Sequence, residues 1–187
     1  MGDGSKARIE AEAGTLIARD GYHGMGLKAL SEATGLPYGS IYHHFPGGKE
    51  EIAATAILAN ASTVADLLAA NFVDGVTAAA VDRMFGFMAR RLERSGWELG
   101  CVVGTPAADD PSTSPRVGAA CAEGFALIVD PVTEAFVRDG RDPDEAADLA
   151  LTLVAAYEGA TLLARARRSR EPLDRAAATM TRLLSLA

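Results

Sequence analysis

Residues 27–49, LKALSEATGLPYGSIYHHFPGGK, constrain this chain most, because they place two short amphipathic helices only a few residues apart. Leu27, Leu30 and Ala33 recur at helical spacing, and Gly35 ends that run. Leu36 and Pro37 then open a second short helix whose apolar positions are Ile41 and Phe45. A turn this tight needs a residue that tolerates the left-handed backbone, and Gly35 supplies it. Pro37 suits the first helical position, because its fixed φ fits and the N–H it lacks has no intrahelical partner there. Tyr38, Ser40, Tyr42 and His43 stand between the core positions and offer hydroxyls, aromatic edges and an imidazole. This is the pattern of a helix-turn-helix, whose second helix fits a DNA major groove.

The charge balance is unusual for a nucleic-acid binder. The 187 residues carry 18 basic and 25 acidic side chains, a net charge of −7. Distribution matters more than the sum. Lys6, Arg8, Arg19, Lys28 and Lys49 nearly match six acids in the first 50 residues, and no acid falls between Ala33 and Lys49. A weakly basic face on an acidic body predicts modest non-specific DNA affinity, with hydrogen bonds and dimer geometry supplying the rest. Hydrophobic residues make up 49% of the chain but aromatics only 6%, so Ala, Leu and Val must build the core. Ala and Leu are strong helix formers, so an all-α fold is expected.

Periodicity and punctuation predict about nine helices. A first helix spans about 5–20, with Ile9, Ala13, Leu16 and Ile17 on one face, and the glycines at 21, 24 and 26 break it. Those glycines follow no strand and lack the spacing of a phosphate-cradling loop, so they read as an inter-helix turn. A long helix starts at Lys49, with Glu50 and Glu51 placed to suit its dipole. Asp74 is placed to cap the next, which carries Val76, Val81, Met84, Phe85, Met88 and Leu92 and closes on Arg90, Arg91 and Arg94. After an irregular stretch, Ser114-Pro115 starts a helix that Pro131 is expected to kink. Asp142-Pro143-Asp144-Glu145 is a cap, a first-turn proline and two acids. The helix it opens carries Leu149, Leu153, Ala156, Ala160 and Leu163 at alternating spacings of three and four. A last helix from Pro172 repeats the theme with Ala177, Met180 and Leu184. These eight residues are the candidate dimer interface, with packing inside one protomer as the alternative.

The run GLPYGSIYHHFPGGKEEI, together with Gly21-Tyr22, Leu30 and Glu32-Ala33, resembles the TetR family of transcriptional regulators. Gly100-Cys101-Val102-Val103-Gly104 and the Pro-Gly-Gly-Lys turn are similar to a subgroup containing drug- and flavonoid-responsive repressors. The resemblance implies a homodimeric all-α repressor. Its N-terminal helix-turn-helix domain would be 1–49 and its helical ligand-binding and dimerisation domain 50–187. Two heads would bind a palindromic operator until a small apolar inducer releases them. Carried over by position, Lys28, His44 and Lys49 meet phosphates, and Tyr38, Gly39, Ser40, Tyr42 and His43 meet base edges or backbone. Met25 and Gly26 depart from the family's usual hydroxyl pair, so a phosphate contact and a helix cap are expected to be missing.

Phe85, Met88, Trp97, Cys101, Phe125 and Tyr157 are the candidate lining of an apolar inducer cavity. His43 and His44 are neighbours pointing about 100° apart on a helix, which disfavours a shared metal ion. No metal or cofactor is expected. Asp109-Asp110 and Asp142/Asp144/Glu145 sit where caps explain them, and no base is poised against a nucleophile. An all-α enzyme using the C-terminal cavity is the competing reading; a DNA-binding regulator governed by a partner protein is another. Cys101 and Cys121 form no disulfide framework, and no leader or membrane-length apolar run is evident, so a cytoplasmic protein is expected.

Overall fold

The computed structural model describes residues 2–109 and 114–184. Among them are nine helices and no strand. They are α1 (Gly2–Gly24), α2 (Leu27–Thr34), α3 (Tyr38–His44), α4 (Gly48–Asn71), α5 (Ala78–Arg94), α6 (Gly104–Ala107), α7 (Pro115–Arg138), α8 (Pro143–Arg167) and α9 (Glu171–Leu184). The chain condenses into two compact units, Met1–Ser62 with Cys101–Phe125, and Thr63–Gly100 with Ala126–Ala187. This division differs from a single cut near residue 50, because the segment after α5 returns to the N-terminal helices.

In the first unit, α1 packs on α2 and α6, and its Ile9, Ala13 and Ile17 are buried, as are Leu30, Ile41, Phe45, Ile52 and Ile57 of the helices that follow. Each such side chain contributes roughly 1.5–3 kcal/mol by leaving water, which is what lets helices of seven and eight residues persist. The helix numbered α1 runs past its expected end, but its backbone breaks at Gly21, which takes φ 73° and ψ −176°. At the start of α4, the Glu51 carboxylate accepts the Gly47 N–H at 2.7 Å and closes the preceding turn.

In the second unit, α5, α8 and α9 pack together. Val81, Met84, Phe85, Met88 and Leu92 of α5 face Leu153, Val154 and Ala160 of α8 and Leu173, Ala177 and Met180 of α9 in one buried core. Thr77, not Asp74, caps α5, its hydroxyl accepting the Ala80 N–H at 3.2 Å. Asp142 caps α8 as its sequence predicts, accepting from the Asp144 N–H at 3.0 Å with Pro143 in the first turn. In α7 the helix runs through Pro131 to Arg138.

Two helices correct the expectation that no apolar run reaches membrane length. Over their most apolar 18 residues, α4 and α8 have mean hydropathies of 1.6 and 1.3. Both are alanine-rich, and alanine raises hydropathy while serving close helix packing.

Candidate nucleic-acid interface

The site begins with the turn between α2 and α3. Gly35 ends α2 in the left-handed conformation at φ 64°, ψ 17°, and reverses the chain in three residues. Two side chains of α2 fix that reversal. The buried Thr34 hydroxyl donates to the Leu30 carbonyl at 2.6 Å and accepts the Leu36 N–H at 3.3 Å. Ser31 donates to the Leu36 carbonyl at 2.7 Å. Pro37 takes the cap position, one residue earlier than its sequence context suggests, with extended backbone at φ −69°, ψ 153°. The entry of α2 has no such help. Met25 is fully buried in the core, and Gly26 offers no side-chain cap.

Ile41 and Phe45 bury one side of α3 and thereby aim the other outward. Residues four apart share a row on a helix, so the outward rows are Tyr38/Tyr42, Gly39/His43 and Ser40/His44. Tyr38 and Tyr42 are 48% and 47% exposed, large fractions for aromatic side chains in a chain so poor in them. Gly39 and His43 occupy the middle row, both exposed, and nothing lies within 4 Å of where a Cβ on Gly39 would sit. The face is therefore low at Gly39, between the Tyr38/Tyr42 row and the Ser40/His44 row, which suits close approach to a grooved polyanion. Lys28 on α2 is exposed nearby in the same unit.

Lys49 behaves differently. Its ammonium lies 4.5 Å from the Tyr22 ring centroid and donates to the His23 carbonyl at 3.3 Å. Burial pushes its pKa down, while the negative charge of Asp109 pushes it back up. Asp109, just beyond α6, reaches the chain break at the end of α1. Its Oδ2 accepts the Tyr22 N–H at 2.8 Å and the His23 N–H at 3.4 Å. Burial raises the Tyr22 pKa, against a hydrogen bond from Ser114 that lowers it.

These residues border a half-open cavity of about 250 Å³, walled by Tyr22, Pro106, Asp109, Val117, Cys121 and Phe125 among others. Burial, then the Asp109 charge, pushes the Cys121 thiol up to about 11, so it stays protonated at neutral pH. Of the six expected lining residues, Phe125 borders this cavity. Cys101 belongs to the same unit but is not among its walls. Phe85 and Tyr157 meet edge to face in the second unit with ring centroids 5.4 Å apart. Met88 is buried in that unit, and Trp97 sits in the turn after α5 with a left-handed φ of 72°. The pairing of Asp109 with Tyr22 is not legible in the sequence, because the two are 87 residues apart and only Tyr22 belongs to the motif run.

The expected dimer residues divide. Leu153, Ala160, Ala177 and Met180 are buried within the protomer and offer no surface to a second copy. Leu149, Ala156 and Leu184 are half-buried, and Leu163 is exposed. The apolar surface that α8 and α9 leave open is Leu151, Leu162, Leu163 and Leu183. Among the described residues no group of three His, Cys, Asp or Glu side chains is arranged to hold a metal ion.

A short helix buried on one side, presented by a glycine turn and backed by an all-helical body, defines a helix-turn-helix regulator of transcription. Residues 9–56 match the bacterial regulatory proteins of the tetR family, and residues 77–179 match the C-terminal domain of LmrA/YxaF-like transcriptional regulators. An uncharacterized HTH-type transcriptional regulator of Mycobacterium tuberculosis is 30% identical over 176 residues, spanning 91% of this chain and 89% of that protein. The HTH-type transcriptional regulator LmrA of Bacillus subtilis is 28% identical over 176 residues, spanning 90% of each. Among solved structures, a TetR transcriptional regulator from Legionella pneumophila superposes with a TM-score of 0.82 at 24% identity, over 94% of this chain and 95% of that one. The regulator CifR, as a cysteine mutant bound to a 26-base-pair operator duplex, superposes at 0.73 and 20% identity over 94% of each chain. This chain belongs to the TetR family of transcriptional regulators, with an LmrA/YxaF-like C-terminal domain. Its function is DNA-binding transcription regulation, and its relatives are regulators rather than enzymes.

Proposed function

We propose that this regulator is a repressor that binds a palindromic operator as a homodimer and leaves it when a small, mainly apolar inducer binds. The carrying observation is the outward face of α3, where two half-exposed tyrosines line one side of the exposed Gly39/His43 row. Tyr38, Gly39, Ser40, Tyr42 and His43 are the groove contacts in this reading, and Lys28, His44 and Lys49 the phosphate contacts. Lys49 must first release the His23 carbonyl. Four exposed leucines on the last two helices support the homodimer, and the operator complex of CifR is the structural precedent for the DNA-bound state. The protein works in the cytoplasm, where the promoters are, and needs no membrane partner.

Selection of bound sites from a random duplex library tests this. The expected result is an enriched palindrome whose binding is lost on Tyr42→Ala. A library that stays unenriched, or enrichment of a single half-site, would refute the dimeric sequence-specific reading.

A further inference from the structure

The cavity of the first unit contains a carboxylate that the protein uses on one side only. Asp109 Oδ2 takes the N–H groups of Tyr22 and His23, and Oδ1 accepts no hydrogen bond among the described residues. Asp109 is the one charged side chain among the described residues lining the cavity; Pro106, Val117 and Phe125 supply carbon, and Cys121 a protonated thiol. The nearby ammonium of Lys49 is turned to the Tyr22 ring and the His23 carbonyl instead. A carboxylate in an apolar wall repels anions and favours an ion-pairing or N–H-donating guest. About 250 Å³ accommodates one ring or two fused rings rather than a large drug.

We propose that this cavity is the effector site and that it takes a small amphiphilic amine, its ammonium on Asp109 and its ring against Val117 and Phe125. The proposal rests on the ligand-responsive reading above and names the ligand class and the route of the response. That route is short. The same carboxylate clasps the chain where α1 breaks at Gly21, six residues before α2 begins at Leu27. An ammonium that draws Asp109 towards itself loosens the clasp on Tyr22 and His23. Its positive charge also offsets the Asp109 charge that favours the protonated form of Lys49. The first turn of the DNA-binding head and one candidate phosphate contact therefore respond to the same event.

Calorimetric titration of the full-length protein with 2-phenylethylammonium and 2-naphthylmethylammonium tests the site, with 3-phenylpropionate as the anionic control. At least one amine is expected to bind with a Kd below about 1 mM, and the anion not to bind. Asp109→Asn should abolish amine binding. Ala122→Leu, on an exposed helical position at the cavity wall, should block it while leaving Asp109 in place, and decides the matter if Asp109→Asn fails to fold. On the selected operator, saturating amine should weaken the wild-type complex by about 10-fold. No amine binding, equal binding of the anion, binding that survives both substitutions, or an unchanged operator affinity would each overturn the proposal. An enriched palindrome alongside any of these leaves the regulator reading standing, so the two fail separately.

Discussion

At Gly21 the backbone takes φ 73° and ψ −176°, a region that only glycine occupies without strain. A Cβ there would also lie 2.8 Å from Asp109 Oδ2. Gly21→Ala is therefore expected to cost about 1–3 kcal/mol, read as a lower urea midpoint at unchanged slope. Adding Asp109→Ala should not restore the loss, because the backbone strain remains; full recovery would show that the collision alone mattered. The chain's own residues announce this position in part, since a glycine cluster after an amphipathic helix reads as a break. They do not announce its partner. Asp109 is one carboxylate in an irregular stretch, and only the fold brings it to Tyr22. Thr34 is similar: helical spacing favours Ala33 for the core of α2, yet Thr34 turns inward because its hydroxyl ties Leu30 to Leu36.

On the scale of whole helices, caps and apolar spacing are legible and the facing of a two-sided helix is not. Asp142-Pro143 starts α8 where the residues say, because capping is a local interaction. Heptad spacing through Leu149, Leu153, Ala156, Ala160 and Leu163 marks an apolar stripe but not what covers it. In the fold α5 and α9 cover Leu153 and Ala160, and a second stripe, Leu151 and Leu162, stays open at 60% and 67% exposure. Two substitutions separate the stripes. Leu162→Glu should yield a helical monomer by sedimentation, because the charge reaches water once the partner leaves. Leu153→Glu places a carboxylate at a fully buried site and should cost about 3 kcal/mol or more, seen as loss of the cooperative melt. A dimer that survives Leu162→Glu would move the interface elsewhere.

For the molecule as a whole, net charge −7 and a recognition helix without lysine or arginine set how it must hold DNA. The helix-turn-helix and the all-helical class are readable from the sequence because both follow from local pattern. The two-unit division is not, since residues 101–125 join the first unit through contacts remote in sequence. Few cations on an acidic body means little affinity from counterion release, and this is measurable. Lys28 and Lys49 give a two-headed complex about four lysine–phosphate contacts, so log K should fall with log salt at a slope of about −3 to −4. Lys49→Ala removes one contact per head and should bring the slope to about −2, weakening operator and random duplex alike. A slope unchanged by Lys49→Ala would mean that Lys49 keeps its bond to the His23 carbonyl on DNA. In that case the contact between Lys49 and Tyr22 serves the fold of the head rather than its grip.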